Sequence, residues 1–293
     1  MPIPPFVDPD HQLPMPFQAA EDYAVQVMTW AQEALADDIV VTRGRAYGRH
    51  RLQRYDVYAP RGADKAPVLV FWHGGGWTNG YRDYVRFMAP HVTRQGMVLV
   101  APSYRLTPAD RLPAALDDCL AVLAALNRDV GALGGAPDRI YLSGHSAGGH
   151  LATMTALRHD RWLAAGVAAN TIRGCLPISG IMDLYHPAPA ADSLEERVYT
   201  MVLADANEDA VMSPMCWTSG IRIPMLLTHG ERDSERVIRS NRRLFALMQQ
   251  QDGSPVRHAV LPGLDHFQTH TCLRQGDHPW YTALRTMVRS GTD

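Results

Sequence analysis

Gly144-His145-Ser146-Ala147-Gly148 is the stretch with the clearest chemical content: a serine with glycine two positions before it and two after. The apolar run Ile140-Tyr141-Leu142 leads into it, and the helix-forming run Ala147 to Leu157 leaves it. The serine is therefore expected on a sharp strand-to-helix turn. Such a turn strains the backbone at Ser146 and leaves no room for side chains at 144 and 148. The helix beginning at Ala147 directs unpaired N–H groups toward any negative charge that forms at the serine.

A serine hydroxyl is a weak nucleophile near neutral pH, so it needs a base within hydrogen-bond reach and a third group to orient that base. Both are available further along the chain. Met225 to Gly230 reads as a strand running into Glu231-Arg232-Asp233, which sets a carboxylate at a strand's carboxyl end. Asp233 is the expected orienting acid and Glu231 its rival. Leu261 to Phe267 (LPGLDHF) follows the last expected strand and presents His266 as the general base.

Acyl chemistry also needs donors for an oxyanion. His73-Gly74-Gly75-Gly76 directly follows the buried run Val68 to Trp72, and backbone without β-carbons approaches a ligand closely. The N–H groups of Gly75, Gly76 and Ala147 are the expected oxyanion hole. Trp77 and Phe267, beside that loop and the base, are candidate pocket walls, with a core role as the alternative. The remaining histidines, His145, His150, His159, His229, His258, His270 and His278, are read as structural or pocket-lining. No metal or other cofactor is expected, because no carboxylate-histidine cluster of ligand spacing accompanies the His145/His150 pair.

The chain has 293 residues, 46% of them hydrophobic, which is enough for a full core and fits one large α/β domain. A net charge of −2 supplies no basic field for nucleic acid or an anionic membrane surface, so small molecules are the expected partners. A homo-oligomer stays open. Cys119, Cys175, Cys216 and Cys272 lie far apart with no CxxC pair, and reduced, mostly buried thiols are expected. The amino-terminal stretch has neither a basic region nor a continuous apolar run, and no later run is long enough to span a bilayer, so a cytoplasmic location is expected.

These side chains must be positioned by a scaffold. Apolar runs at 68–72, 97–101, 140–142, 174–179, 223–228 and 257–261 read as strands, with an alternating, antiparallel strand at 52–58 before them. Helices are expected at 21–36, 84–95, 112–133, 147–157, 237–250 and 280–288. Alternating strands and helices imply an α/β fold: a mainly parallel sheet with helices on both faces. The whole of 1–293 is read as one domain. Residues 1–40 form its amino-terminal cap or arm, whose helix either covers the mouth of the site or packs on an edge of the sheet, and 181–221, irregular and rich in proline, is an insertion at the pocket rim.

HGGGW at 73–77, SYRLTP at 103–108, LPAALDD at 112–118, GHSAGGHLA at 144–152 and HGERD at 229–233 resemble the α/β-hydrolase superfamily, in particular its hormone-sensitive-lipase-like esterase branch. The order Ser146, Asp233, His266 is the order of that superfamily's triad. SGIMDL at 179–184, Ser213-Pro214, ERVIRSNRRL at 235–244 and LPGLDHF at 261–267 are similar to the arylformamidase (kynurenine formamidase) group, although Gly76 stands where that group commonly has tyrosine. The resemblance implies a serine hydrolase acting on a small ester or an N-formyl aryl amide, with short-chain carboxylesterase as the alternative. A ligand-binding protein without turnover on the same fold is the reading of another class, and the complete Ser, Asp and His set weighs against it.

Overall fold

The computed structural model describes residues 12–251 and 255–290. One sheet of eight strands runs through them in the order β1-β2-β4-β3-β5-β6-β7-β8. The strands are β1 (Ile39–Ala46), β2 (Arg54–Pro60), β3 (Ala66–Trp72), β4 (Val98–Pro102), β5 (Gly135–His145), β6 (Ile172–Ile178), β7 (Met225–Arg232) and β8 (Val256–Asp265). β2 pairs antiparallel with β1 and β4, and every pairing from β4 to β8 is parallel.

The β3 residues show why these runs are apolar throughout. Successive side chains point to opposite faces. Val68, Val70 and Trp72 enter one core, and Leu69 and Phe71 enter the other. The first core is closed by α3 (Ala114–Asp129), α4 (Ala147–Leu157) and α6 (Glu235–Gln249), through residues such as Leu123, Leu151 and Leu244. The second is closed by α1 (Gln18–Trp30), α2 (Ala89–Thr93) and α8 (Pro279–Ser290), through Tyr23, Val92 and Leu284. Two short helices, α5 (Leu194–Arg197) and α7 (Gln268–Thr271), lie near the carboxyl ends of the strands. Among the described residues no helix is long and apolar enough to cross a membrane.

Several boundaries differ from the sequence reading. β1 was not expected. It is an edge strand, mostly half-exposed, with a register shift between Thr42 and Arg45, so it lacks a hydrophobic alternation to announce it. α1 starts and ends earlier than 21–36, because burial of its face stops at Ala31 and the chain then turns toward β1. The helix expected at 84–95 is a 3-10 segment, Arg82–Met88, followed by α2. Pro90 has no N–H to extend an α-helix across that junction. α3 gives way to a 3-10 turn at Val130–Leu133 that ends on Gly134, whose φ of 84° suits glycine.

β2 is buried along nearly its whole length rather than alternating, because Tyr55 and Val57 face one core and Tyr58 the other. Its buried Asp56 is satisfied by Arg82 Nε at 2.9 Å, Arg43 Nε at 3.2 Å and the Gly44 N–H at 2.7 Å. Cys119 and Cys175 are buried free thiols, whereas Cys216 is exposed. Of the expected amino-terminal arm, residues 1–11 lie outside the described residues. Residues 181–221 contain short helical turns and one isolated bridge, Leu203 to Leu112, between β6 and β7.

Candidate active site

Ser146 sits between the end of β5 and the start of α4 with φ 55° and ψ −118°, a conformation that L-residues rarely hold. The surroundings enforce it. A β-carbon on Gly144 would lie 2.4 Å from Gly148 O, and one on Gly148 would lie 2.1 Å from Trp72 O, so the elbow packs directly on neighbouring backbone. The Ser146 N–H donates to Ile178 O of β6 at 2.9 Å, and Ser146 O accepts from the His150 N–H at 2.9 Å.

β7 and β8 deliver the other two groups to the same end of the sheet. Ser146 Oγ is 2.9 Å from His266 Nε2, and His266 Nδ1 is 2.7 Å from Asp233 Oδ1. The Asp233 side chain is fully buried and that of His266 is 25% exposed, so the relay is closed at its acid and opens to the pocket at Ser146 and His266. Asp233 Oδ2 accepts from Ser179 Oγ at 2.5 Å and Oδ1 from the Ser234 N–H at 2.9 Å. Burial raises the Asp233 carboxyl's affinity for a proton. The hydrogen bond and charge of His266, with the bonds from Ser179 and Ser234, more than offset this and hold it below the usual carboxylate range. Glu231 is exposed and accepts from the Gly263 N–H at 2.7 Å, away from His266.

The His266 carbonyl is itself held, by His145 Nε2–H at 2.8 Å and Thr269 Oγ1–H at 2.7 Å. Burial, then the charges of His266 and His270, keep His145 neutral well below the ordinary histidine range. His150, its sequence neighbour in the H-x4-H pair, turns the other way and bonds Met212 O at 2.7 Å. Burial lowers it to about 4. The two are thus not a ligand pair.

The glycine loop after β3 has φ of 125° at Gly75, 60° at Gly76 and 61° at Trp77. Gly75 O accepts from the N–H groups of Thr78 at 3.1 Å and Asn79 at 2.9 Å, which folds the loop into a tight turn. Neither the Gly75 nor the Gly76 N–H donates to a backbone carbonyl among the described residues, and both glycines line the cavity at Ser146. Trp77 is buried and lines the same cavity, with its ring edge-on to His150. Phe267 also lines it and stacks on Tyr23 with ring centres 5.1 Å apart.

Sequence reasoning placed 1–40 as a cap or arm and 181–221 at the pocket rim, but it missed Ser179 and the individual contacts that these segments make. Ser179 was visible only as a residue at the end of a strand. The amino-terminal arm closes one side of the cavity through Met15, Phe17 and Tyr23. It also braces the glycine loop: the Gln12 side-chain amide exchanges two hydrogen bonds with Gly80, at 3.0 and 2.9 Å, and Asn79 Nδ2 donates to Leu13 O. Tyr23 OH meets His270 Nδ1 at 2.8 Å, which ties α1 to the segment that carries His266. The 181–221 segment contributes Ile181, Leu194, Glu195, Arg197, Val198 and Val202 to the opposite wall. The cavity has a volume of about 280 Å³.

The BD-FAE family model matches residues 55–246. A kynurenine formamidase of Salmo salar is 24% identical over 279 residues, covering 88% of this chain and 92% of that protein. A probable carboxylic ester hydrolase, LipM, of Mycobacterium tuberculosis is 29% identical over 237 residues, and the match spans 75% of this chain but only 54% of that longer protein. Among solved structures, the thermostable carboxylesterase EstE1 from a metagenomic library superposes with a TM-score of 0.75 at 21% identity, covering 95% of this chain and 98% of that one. A hyperthermophilic esterase of Pyrobaculum calidifontis gives a TM-score of 0.75 at 20% identity, over 93% of this chain and 91% of that one. At such identities the structural likeness speaks for the fold. The chain has the α/β-hydrolase fold of these esterases and belongs to the BD-FAE family.

Proposed function

We propose that this chain is a serine hydrolase that cleaves a small carboxylic ester or an N-formyl aryl amide through an acyl-enzyme. Ser146 Oγ attacks the carbonyl carbon while His266 Nε2 takes its proton. Asp233 fixes the imidazole so that Nδ1–H points to the carboxylate and Nε2 is left to accept, and it stabilises the imidazolium that forms. His266 then returns the proton to the departing alcohol or amine. Water attacks the acyl-enzyme by the same route, with His266 again as base.

The tetrahedral oxygen would be held by the N–H groups of Gly75, Gly76 and Ala147, each donor of this kind contributing about 3 to 4 kcal/mol to the transition state. The observation that carries the reading is the continuous relay: 2.9 Å from Ser146 Oγ to His266 Nε2 and 2.7 Å from His266 Nδ1 to Asp233 Oδ1. The relatives named kynurenine formamidase and carboxylic ester hydrolase support the choice of bond, and the modest cavity supports a small acyl group. A ligand-binding role without turnover has no use for a serine held strained beneath a histidine.

Fluorophosphonate labelling tests this directly. The wild type should be labelled at Ser146 and should hydrolyse p-nitrophenyl acetate. Ser146→Ala should lose the label and several orders of magnitude of turnover while keeping its melting temperature. An unlabelled wild type, or near-normal hydrolysis by the mutant, would sink the proposal.

A further inference from the structure

His266 stands one residue beyond the last paired residue of β8, because the β7–β8 ladder ends at Asp265. Sheet pairing thus stops short of the base, and its carbonyl is held by two side chains, His145 and Thr269. His145 immediately precedes Ser146 in the chain. A carbonyl oxygen only accepts, so His145 Nε2 carries the hydrogen and Nδ1 is the bare nitrogen. That nitrogen is buried and makes no hydrogen bond among the described residues.

The His145 ring is fixed in its turn. It lies nearly parallel to His270, with centres 5.1 Å and planes 12° apart, and His270 lies nearly parallel to Phe71 at 5.2 Å. Tyr23 OH bonds His270 Nδ1 at 2.8 Å. The Tyr23 ring also packs on the chain neighbour of each reacting group. His145, before Ser146, lies 5.6 Å away between ring centres, and Phe267, after His266, lies 5.1 Å away. One side chain of α1 therefore touches both the nucleophile's strand and the segment that carries the base.

Tyr23, His145 and His270 are buried, and burial keeps them uncharged. It lowers His270 to about 3 and raises the Tyr23 hydroxyl well above its usual value. Burial, then the charges of His266 and His270, hold His145 well below the ordinary histidine range. Neutrality suits a support at this place. The His145 and His266 ring centres are 5.0 Å apart, and a cation at His145 would oppose the imidazolium that forms when Ser146 attacks.

We propose that His145 and Tyr23 are positioning residues for the general base. His145 Nε2–H fixes the His266 carbonyl, and Tyr23 fixes the His145 ring directly and through His270. Docking of the amino-terminal helix thereby sets the reach of His266 to Ser146. This rests on the serine hydrolase reading of the site.

The test measures kcat and KM for p-nitrophenyl acetate, the rate of fluorophosphonate labelling at Ser146, and the melting temperature. Tyr23→Phe keeps the ring against His145 and Phe267 and removes only the hydroxyl. It should lower kcat by about threefold to tenfold, leave KM nearly unchanged, and slow labelling by a similar factor. His145→Phe, a ring without the donor, should lower kcat by about tenfold to a hundredfold. His145→Gln, whose amide nitrogen reaches the place of Nε2, should recover to within about fivefold of wild type. Adding Tyr23→Phe to His145→Phe should cost little more, because Tyr23 acts through His145.

Wild-type kcat in His145→Phe, or a His145→Gln variant as slow as His145→Phe, would overturn the donor role. Losses that multiply in the double variant would overturn the path from Tyr23 through His145. A lowered melting temperature with unchanged kcat and labelling would leave both residues a packing role only and overturn the proposal. Should His145→Phe fail to fold, Tyr23→Phe decides on the same measurements. A wild type that fluorophosphonate does not label would remove the hydrolase reading itself, an outcome distinct from slow labelling of the variants alone.

Discussion

Ser179 Oγ donates to Asp233 Oδ2 across 2.5 Å, and it does so from a left-handed backbone conformation with φ 51°. Thr269 Oγ1 stands 2.8 Å from the same hydroxyl and itself donates to the His266 carbonyl. The residue after β6 therefore holds the acid and lies against the segment that carries the base. Ser179→Ala should cost the Asp233 carboxylate one charge-assisted bond, about 1.5 to 3 kcal/mol. The expected result is a fall of about tenfold to a hundredfold in kcat with little change in KM. Equal losses in melting temperature without a loss in kcat would mean that Ser179 serves packing alone.

Asp233 and Glu231 are separated by environment rather than by sequence. Asp233 is buried against His266, whereas Glu231 is exposed on the Gly263 N–H. Asp233→Asn should reduce kcat by about 10³- to 10⁴-fold, because the histidine is then held in the wrong tautomer. Glu231→Gln should stay within about threefold of wild type, as exposed substitutions away from the chemistry do. Steady-state kinetics on one ester decide the ranking, and its reversal would move the acid to Glu231.

The central strands were legible because β3 to β6 are covered on both faces, so that their apolar character is continuous. The elbow was legible for a related reason. Gly144 and Gly148 have no alternative where backbone lies within 2.4 and 2.1 Å of a would-be β-carbon. Ser179, Gln12 and Tyr23 were not legible, since their contacts join segments 54, 68 and 247 positions apart and leave no local spacing to read. The β1 edge was hidden by its exposure.

Several histidines are stored neutral. Burial lowers His73 and His150 to about 4 and His270 to about 3, while an imidazole in the unfolded chain protonates near 6.5. Between those values the unfolded chain binds more protons than the folded one, so stability must fall as pH falls below about 6.5. Each group contributes a slope of up to about 1.4 kcal/mol per pH unit. Asp233, held below the usual carboxylate range, adds its own loss only further down, below about pH 4. Thermal melts should be flat above pH 7 and drop progressively at pH 6, 5.5 and 5. A melting temperature unchanged from pH 7.5 to 4.5 would contradict the neutral burial of these rings.

Gly75 combines φ 125° with a would-be β-carbon 2.0 Å from Asn79 O. Gly75→Ala should therefore displace the loop, since the contact is with backbone and cannot be relieved by a rotamer. The expected cost is about 1 to 3 kcal/mol of stability together with about 10²- to 10³-fold in kcat from misaimed donors. Gly76 is the internal control: at φ 60° its nearest contact is 3.8 Å away, so Gly76→Ala meets backbone strain without a collision. Near-normal kcat in Gly75→Ala would remove the loop from the oxyanion role.

Acyl size is the remaining choice. The arm residues Met15, Phe17 and Tyr23 close one side of the cavity, Val198 and Val202 close the other, and the enclosed volume is about 280 Å³. A formyl group leaves nearly all of that space to an aryl leaving group, whereas each added acyl methylene must be accommodated in a wall already packed against Ser146. A methylene changes discrimination by only about 1 to 3 kcal/mol, so acetyl and propionyl esters should still turn over and the decline should steepen beyond them. The measurement is kcat/KM for N-formylkynurenine beside p-nitrophenyl esters of increasing chain length. The formamide and the acetyl ester should both be substrates, with octanoyl esters poorer by at least about a hundredfold. An inert formamide with good ester cleavage would leave a short-chain carboxylesterase. Octanoyl esters as the best substrates would mean that the arm swings away from the cavity and that the small-acyl reading is lost.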